Sequence, residues 1–211
     1  MAERLAMEKD ALGFFMSGHP VEGYADTVKR HATCDVTGLS SRSNGLEVLV
    51  AGMASEVRKV TTKKGGRMAF VRLEDGLGTV DCIFFPEPFA GSRAVLEGDS
   101  PFLVKGKLER KRDDCKIIAE SVELLSELRE RRTREVHIRL FQDELDNQRL
   151  TALRELLLAS PGTCDARLTL RRGTDADVVL KLGSTFKVSA GDGLSEGLSR
   201  IFRRNDVATF Q

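Results

Sequence analysis

Three shifts in residue pattern predict a mixed fold: an N-terminal helical segment, a five-stranded Greek-key β-barrel, and then a small α+β domain. Apolar residues first recur at helical spacing, then alternate at the two-residue period of strands, then follow a strand, helix, strand, strand, helix order. With 211 residues the chain suits one large domain or two small ones, each able to bury a core.

The elements follow in order. Leu5, Leu12, Phe15 and Met16 share one helix face, and Ser17-Gly18 stops that helix. Pro20 then opens a second short helix through about Lys29, since proline is tolerated in a first turn. Residues 1–31 are therefore a helical segment. The Ser-, Gly- and Asn-rich "CDVTGLSSRSNG" places a linker over 32–45. From Glu47 the pattern is β-like. "EVLVAGMASEVRKVTT", "RMAFVRLED" and "TVDCIFF" are strands separated by the turns "KKGG" and "GLG", and Gly52 lets the long first strand bend. "PEPFAGSRAVLEG" opens on prolines and holds only a short helix or an irregular loop. "SPFLVKGKLERK" and "CKIIAESVELL" are two further strands around "RDD". Three strands, a helical connection and two strands over 46–126 are the element order of the OB-fold.

Residues 127–134 form a charged, exposed connection to the last domain, 135–211. There "EVHIRL" is a strand, and "DNQRLTALRELLLAS" is a helix with Asp146 or Asn147 as N-cap and Leu150, Leu153 and Leu157 on one face. "TCDARLTLRR" and "DADVVLKLG" make a hairpin around Gly173-Thr174. Leu194, Leu198, Ile201 and Phe202 line the face of a closing helix.

Composition excludes several functions. No apolar run nears the roughly 20 residues of a membrane span, and "MAERLAMEKD" lacks the pattern of a secretory signal, so the expected compartment is the cytoplasm. Cys34, Cys82, Cys115 and Cys164 form no C-x-x-C pair, so no structural zinc site is expected and the thiols are buried or incidental. No cofactor or metal is expected. His19, His31 and His137 are scattered without a nucleophile beside them, so no catalytic residue is assigned. "TKKGGR" lacks the order of a phosphate-binding loop, and His19 in "SGHP" belongs to a turn.

Net charge is only +1, so any polyanion site must come from clustering. Between Glu56 and Arg72 there are six basic residues and one acid; between Lys105 and Lys116 there are six and three. In an OB-fold the face of strands 2 and 3, with the loops joining strands 1–2 and 4–5, forms an oligonucleotide groove. Lys63 and Lys64 fall in the first loop, and Arg110, Lys111 and Arg112 in the second. Arg58, Arg67, Arg72, Lys105 and Lys107 complete the candidate nucleic-acid contacts. Bases need flat apolar faces as well as phosphate partners. Phe70 is a stacking platform if its side of strand 2 faces out, and core if it faces in. The more apolar set Ala69, Val71 and Leu73 is favoured as the core side.

"EKDALGFFMSGHPVEGY", "VLVAGMASEVRKVTTKKGGRMAFVRLEDGLGTVDCIFFPEPF" and "LKLGSTFKVS", in that order, resemble the C-terminal region of the bacterial DNA polymerase III alpha-subunit family, the C-family replicative polymerases. The resemblance implies that residues 1–31 are the end of a preceding domain, then an OB domain near the single-stranded template, followed by a domain that contacts the tau subunit of the clamp loader. Lys63, Lys64 and Arg67 match the family's strand 1–2 loop. Arg200, Phe202, Arg203 and Arg204 are expected on the tau-facing surface. Nothing corresponds to the family's catalytic carboxylates. The sliding clamp is expected to be bound by a region upstream of this chain, because neither Gln142 before "DELD" nor the tail "NDVATFQ" has the clamp-binding pattern. The alternatives are an interaction scaffold that does not bind DNA, and an RNA-binding OB domain of the tRNA-anticodon type.

Overall fold

In the computed structural model, residues 18–111, 114–173 and 176–211 are described. The first expected helix, Arg112 and the tip of the last hairpin lie outside them. The described residues fall into two units, one ending at Leu125 and the other Ser126–Gln211.

The first unit begins with a 3-10 turn, Pro20–Tyr24, that runs into helix α1 (Ala25–His31). His19 caps the turn: its Nδ1 accepts from the Val21 amide at 3.3 Å, and Glu22 reaches back to the His19 amide at 3.1 Å. Residues 32–45 are not a solvated linker. They carry a second 3-10 turn, Thr37–Ser41, and bury Val36 and Leu39 in the barrel core. Two apolar residues three apart outweigh the polar composition around them. Asp75, in the turn after strand 2, accepts from the Val36 amide at 2.8 Å and fixes this segment to the barrel.

Strand β1 (Glu47–Thr61) changes partners midway. It pairs with β4 (Phe102–Lys111) from Glu47 to Gly52 and with β2 (Arg67–Glu74) from Met53 onward. A Cβ on Gly52 would stand 2.6 Å from the Glu74 carbonyl oxygen, so the crossing needs glycine. β3 (Thr79–Phe84) is antiparallel to β2. β5 (Asp114–Leu124) lies between β3 and β4, parallel to the former and antiparallel to the latter. The order β1-β2-β3-β5-β4 closes into a barrel, which is the OB-fold. Helix α2 (Pro86–Leu96) fills the connection as the short helix of the two expected alternatives, three turns long, burying Phe89, Ser92 and Leu96. Its prolines sit in the first turn, where no intrahelical amide is needed.

Alternation decides which way each strand faces. Ala69, Val71 and Leu73 on β2, and Val80, Cys82 and Phe84 on β3, are all inside. Burial pushes the Cys82 thiol well above its ordinary range and leaves it inert.

Helix α3 (Leu125–Arg132) runs from the last residue of the first unit into the second, and it corrects the expectation of an exposed connection. Leu128 and Arg129 are buried, and Leu125, Leu128 and Arg129 stand at i, i+3 and i+4 on one face. The Arg129 guanidinium donates to the Ala190 carbonyl at 2.7 Å and to Asp192 at 2.6 Å, and lies 4.5 Å over the Phe210 ring. Strand β6 (Glu135–Phe141) leads through helix α4 (Asn147–Ala159) to the parallel β7 (Pro161–Arg171), which pairs with β8 (Val178–Lys181) as the expected hairpin. Asp146 is the N-cap of α4, accepting from the Arg149 amide at 2.7 Å. Leu153 and Leu157 are buried as expected, whereas Leu150 is exposed. Helix α5 (Asp192–Phe202) buries Leu194, Leu198 and Phe202. The tail adds a strand the sequence did not announce, β9 (Ala208–Phe210), antiparallel to β6 at one edge of the order β8-β7-β6-β9.

Candidate nucleic-acid interface

The long β1–β2 ribbon carries the densest positive charge of the barrel. Its turn is tight: the Thr62 amide donates to the Gly66 carbonyl at 2.8 Å, the Gly65 amide to the Thr62 carbonyl at 2.9 Å, and Gly65 takes φ +80°. Lys63 and Lys64 therefore project from a defined loop. A Cβ on Gly66 would lie 3.0 Å from the Pro86 side chain, so the loop rests against the first residue of α2.

With the inner set of β2 buried, the outer set is Met68, Phe70 and Arg72. Register places Arg58, Phe70, Ile83 and Ile118 in one row across β1, β2, β3 and β5. Phe70 is thus not core. It is half-buried, and the Arg58 guanidinium lies over its ring at 4.9 Å. The neighbouring row is Glu56, Arg72, Asp81 and Lys116, which is charged and largely self-neutralised.

Ion pairing divides the expected cations into two groups. Arg72 meets Asp81 at 3.2 Å and Glu56 at 3.6 Å, Lys105 meets Glu47 at 3.1 Å, Lys107 meets Glu120 at 3.8 Å, and Lys111 meets Glu109 at 2.6 Å. Lys59, which the sequence did not single out, is held by Glu97 at 2.5 Å; that lysine and Arg93 keep the Glu97 carboxyl below its usual range. Arg58, Lys63, Lys64, Arg67 and Arg110 have no carboxylate partner among the described residues.

The second basic group is also placed differently from expectation. Arg110 and Lys111 are strand residues, paired with Cys115 and Asp114, and do not belong to the loop. The Arg110 amide donates to Asn44, and its guanidinium reaches the Arg42 carbonyl at 3.4 Å. Lys105 and Lys107 stand mid-strand on β4, which is not a neighbour of β2. The two basic stretches therefore do not merge into one track of free charge.

Phe85 was missed in the sequence. It is 48% exposed and directly follows the fully buried Phe84. Its signal was the alternation of β3 carried one residue further, past Ile83 outside and Phe84 inside.

In the second unit, Arg200 and Arg203 are exposed as expected, with Arg203 left-handed at φ 56° as the α5 cap. Phe202 corrects the expectation: it is buried against the sheet and offers no surface. Arg204 is also committed. It pairs with Glu144 at 2.9 Å and Asp206 at 2.7 Å, donates to the Arg139 carbonyl, and lies 4.8 Å over the Phe141 ring. No cluster of metal-ligating side chains occurs among the described residues. No helix among them is long and apolar enough to cross a membrane.

The OB-fold nucleic acid binding domain family matches residues 48–125. Over the whole chain, the DNA polymerase III alpha subunit of Pseudomonas aeruginosa is 31% identical across 211 residues, covering 98% of this chain and 18% of its own length. The Escherichia coli K12 alpha subunit is 28% identical, covering 95% of this chain and 18% of itself. The chain is homologous to a segment of the DNA polymerase III alpha subunit. The Bacillus subtilis alpha subunit extends the match to 100% of this chain and 19% of itself, at 23% identity. The chain thus spans about a fifth of the length of these alpha subunits.

Proposed function

We propose that this chain is the non-catalytic C-terminal part of a bacterial replicative DNA polymerase alpha subunit, and that its barrel binds single-stranded DNA. The reading rests mainly on one observation: the cations without carboxylate partners gather on the β1–β2 ribbon, while most others on the barrel are neutralised. A carboxylate partner would have to be displaced by a phosphate, whereas Lys63, Lys64 and Arg67 are available at no such cost. Arg58 and Arg110 extend the set. The second unit contacts the tau subunit of the clamp loader through the exposed surface around Arg200 and Arg203.

Fluorescence anisotropy with labelled single and double strands at several salt concentrations tests the barrel. Log affinity should fall with log salt by about 0.7 per phosphate neutralised. Changing Lys63, Lys64 and Arg67 together to Ala should weaken binding at low salt and flatten the slope by about 2. Changing Lys105 and Lys107 to Ala should do much less. Equal affinity for both kinds of strand, or no loss in the triple variant, would overturn the reading.

A further inference from the structure

We infer that Phe85, and not Phe70, is the platform on which an unstacked base rests; this builds on the single-strand reading above. Phe70 has the expected place on strand 2, but one face of its ring is already taken by Arg58 at 4.9 Å and the residue is half-buried. A base would have to displace that guanidinium before stacking there. Phe85 makes no ring or cation contact among the described residues and is 48% exposed.

Phe85 is also held in place by its neighbours. Phe84 anchors it in the core on one side. Pro86 fixes the chain on the other, where α2 starts and Phe85 is its N-cap with extended backbone. A platform held by its backbone loses little freedom when a ligand covers it. The Gly66 backbone comes against Pro86, so the loop bearing Lys63 and Lys64 ends against the residue that follows Phe85. An exposed aromatic residue one position from the contact of a loop with unpaired cations is a combination that suits a single nucleotide unit: base on ring, phosphate on lysine. Fully paired duplex could not use the ring, because its bases are stacked inward.

The test compares labelled oligo(dT) with an abasic strand of equal length, using the whole chain. Phe85→Ala should weaken oligo(dT) binding about 5- to 100-fold and leave abasic binding and the salt slope unchanged. Phe70→Ala should weaken oligo(dT) less. The chain has no tryptophan, so Phe85→Trp introduces a lone reporter. Its indole fluorescence should be quenched by oligo(dT) and not by the abasic strand, which gives a second readout if Phe85→Ala folds poorly. Unchanged oligo(dT) affinity in Phe85→Ala, equal loss on both strands, or indole fluorescence that oligo(dT) leaves unquenched in Phe85→Trp would overturn the inference while leaving the phosphate-binding reading intact. If the unaltered chain binds neither strand, that reading fails and the platform goes with it.

Discussion

Arg204 shows how a residue that looks available in sequence can be committed in structure. Its side chain is only 17% exposed, between Glu144, Asp206, the Arg139 carbonyl and the Phe141 ring. Arg204→Met should destabilise the chain by about 2 kcal/mol near neutral pH, because charge-assisted hydrogen bonds are lost and Glu144 is left behind. Asp206→Asn should cost under about 1 kcal/mol, since Asp206 is largely exposed. Its dependence on pH has a definite sign. The Arg204 hydrogen bond holds the Asp206 carboxyl below its ordinary range. Its contribution is therefore present above the unfolded Asp value of about 3.9 and is lost as pH falls through the lower folded value. Thermal melts of Asp206→Asn and the unaltered chain should converge on acidification; a gap that widens instead would refute the assignment.

At the scale of elements, strand patterns carried more information than composition. The alternation in β2 and β3 was enough to turn Ala69, Val71 and Leu73 inward, and that choice decided that Phe70 faces out. Composition misled in two places. The polar stretch before β1 and the charged stretch after β5 both contain a few apolar residues at turn or helix spacing, and those residues are buried. Leu39 is the clearest case at 1% exposure. Leu39→Ala should lower stability by about 2–5 kcal/mol in a urea melt, as for other large-to-small core changes. A flexible linker would tolerate the change almost without cost. The ion pairs were illegible for a related reason: Glu56, Asp81 and Glu97 reach their cations across strands or from a helix, and only register brings them together.

For the whole molecule, each unit has its own core, built around a different sheet. The two proposed partners, nucleic acid for the barrel and a protein for the α+β unit, therefore fall on separately built cores. Changing both Arg200 and Arg203 to Glu should weaken binding to purified tau at least tenfold by surface plasmon resonance, while single-strand binding stays within about twofold. Loss of both activities together would indicate general unfolding, and loss of neither would remove tau from this surface. The barrel and the α+β domain were largely readable from period and element order. The final strand was not, because three residues give too short a pattern to distinguish from a tail.

Strand β1 holds β2 with one half and β4 with the other, and β5 must enter between β3 and β4. The order of synthesis therefore matters. The β1–β2–β3 meander is made of local pairings and can form as soon as Phe84 is available, so the proposed DNA-facing surface has an early scaffold. Its inner side stays wet until Phe102, Val104 and Ile117 arrive from the later strands. A chain released between those two moments would display its ribbon with an open, sticky underside, and the entry of β5 between β3 and β4 is the step that closes the barrel and makes it safe from aggregation.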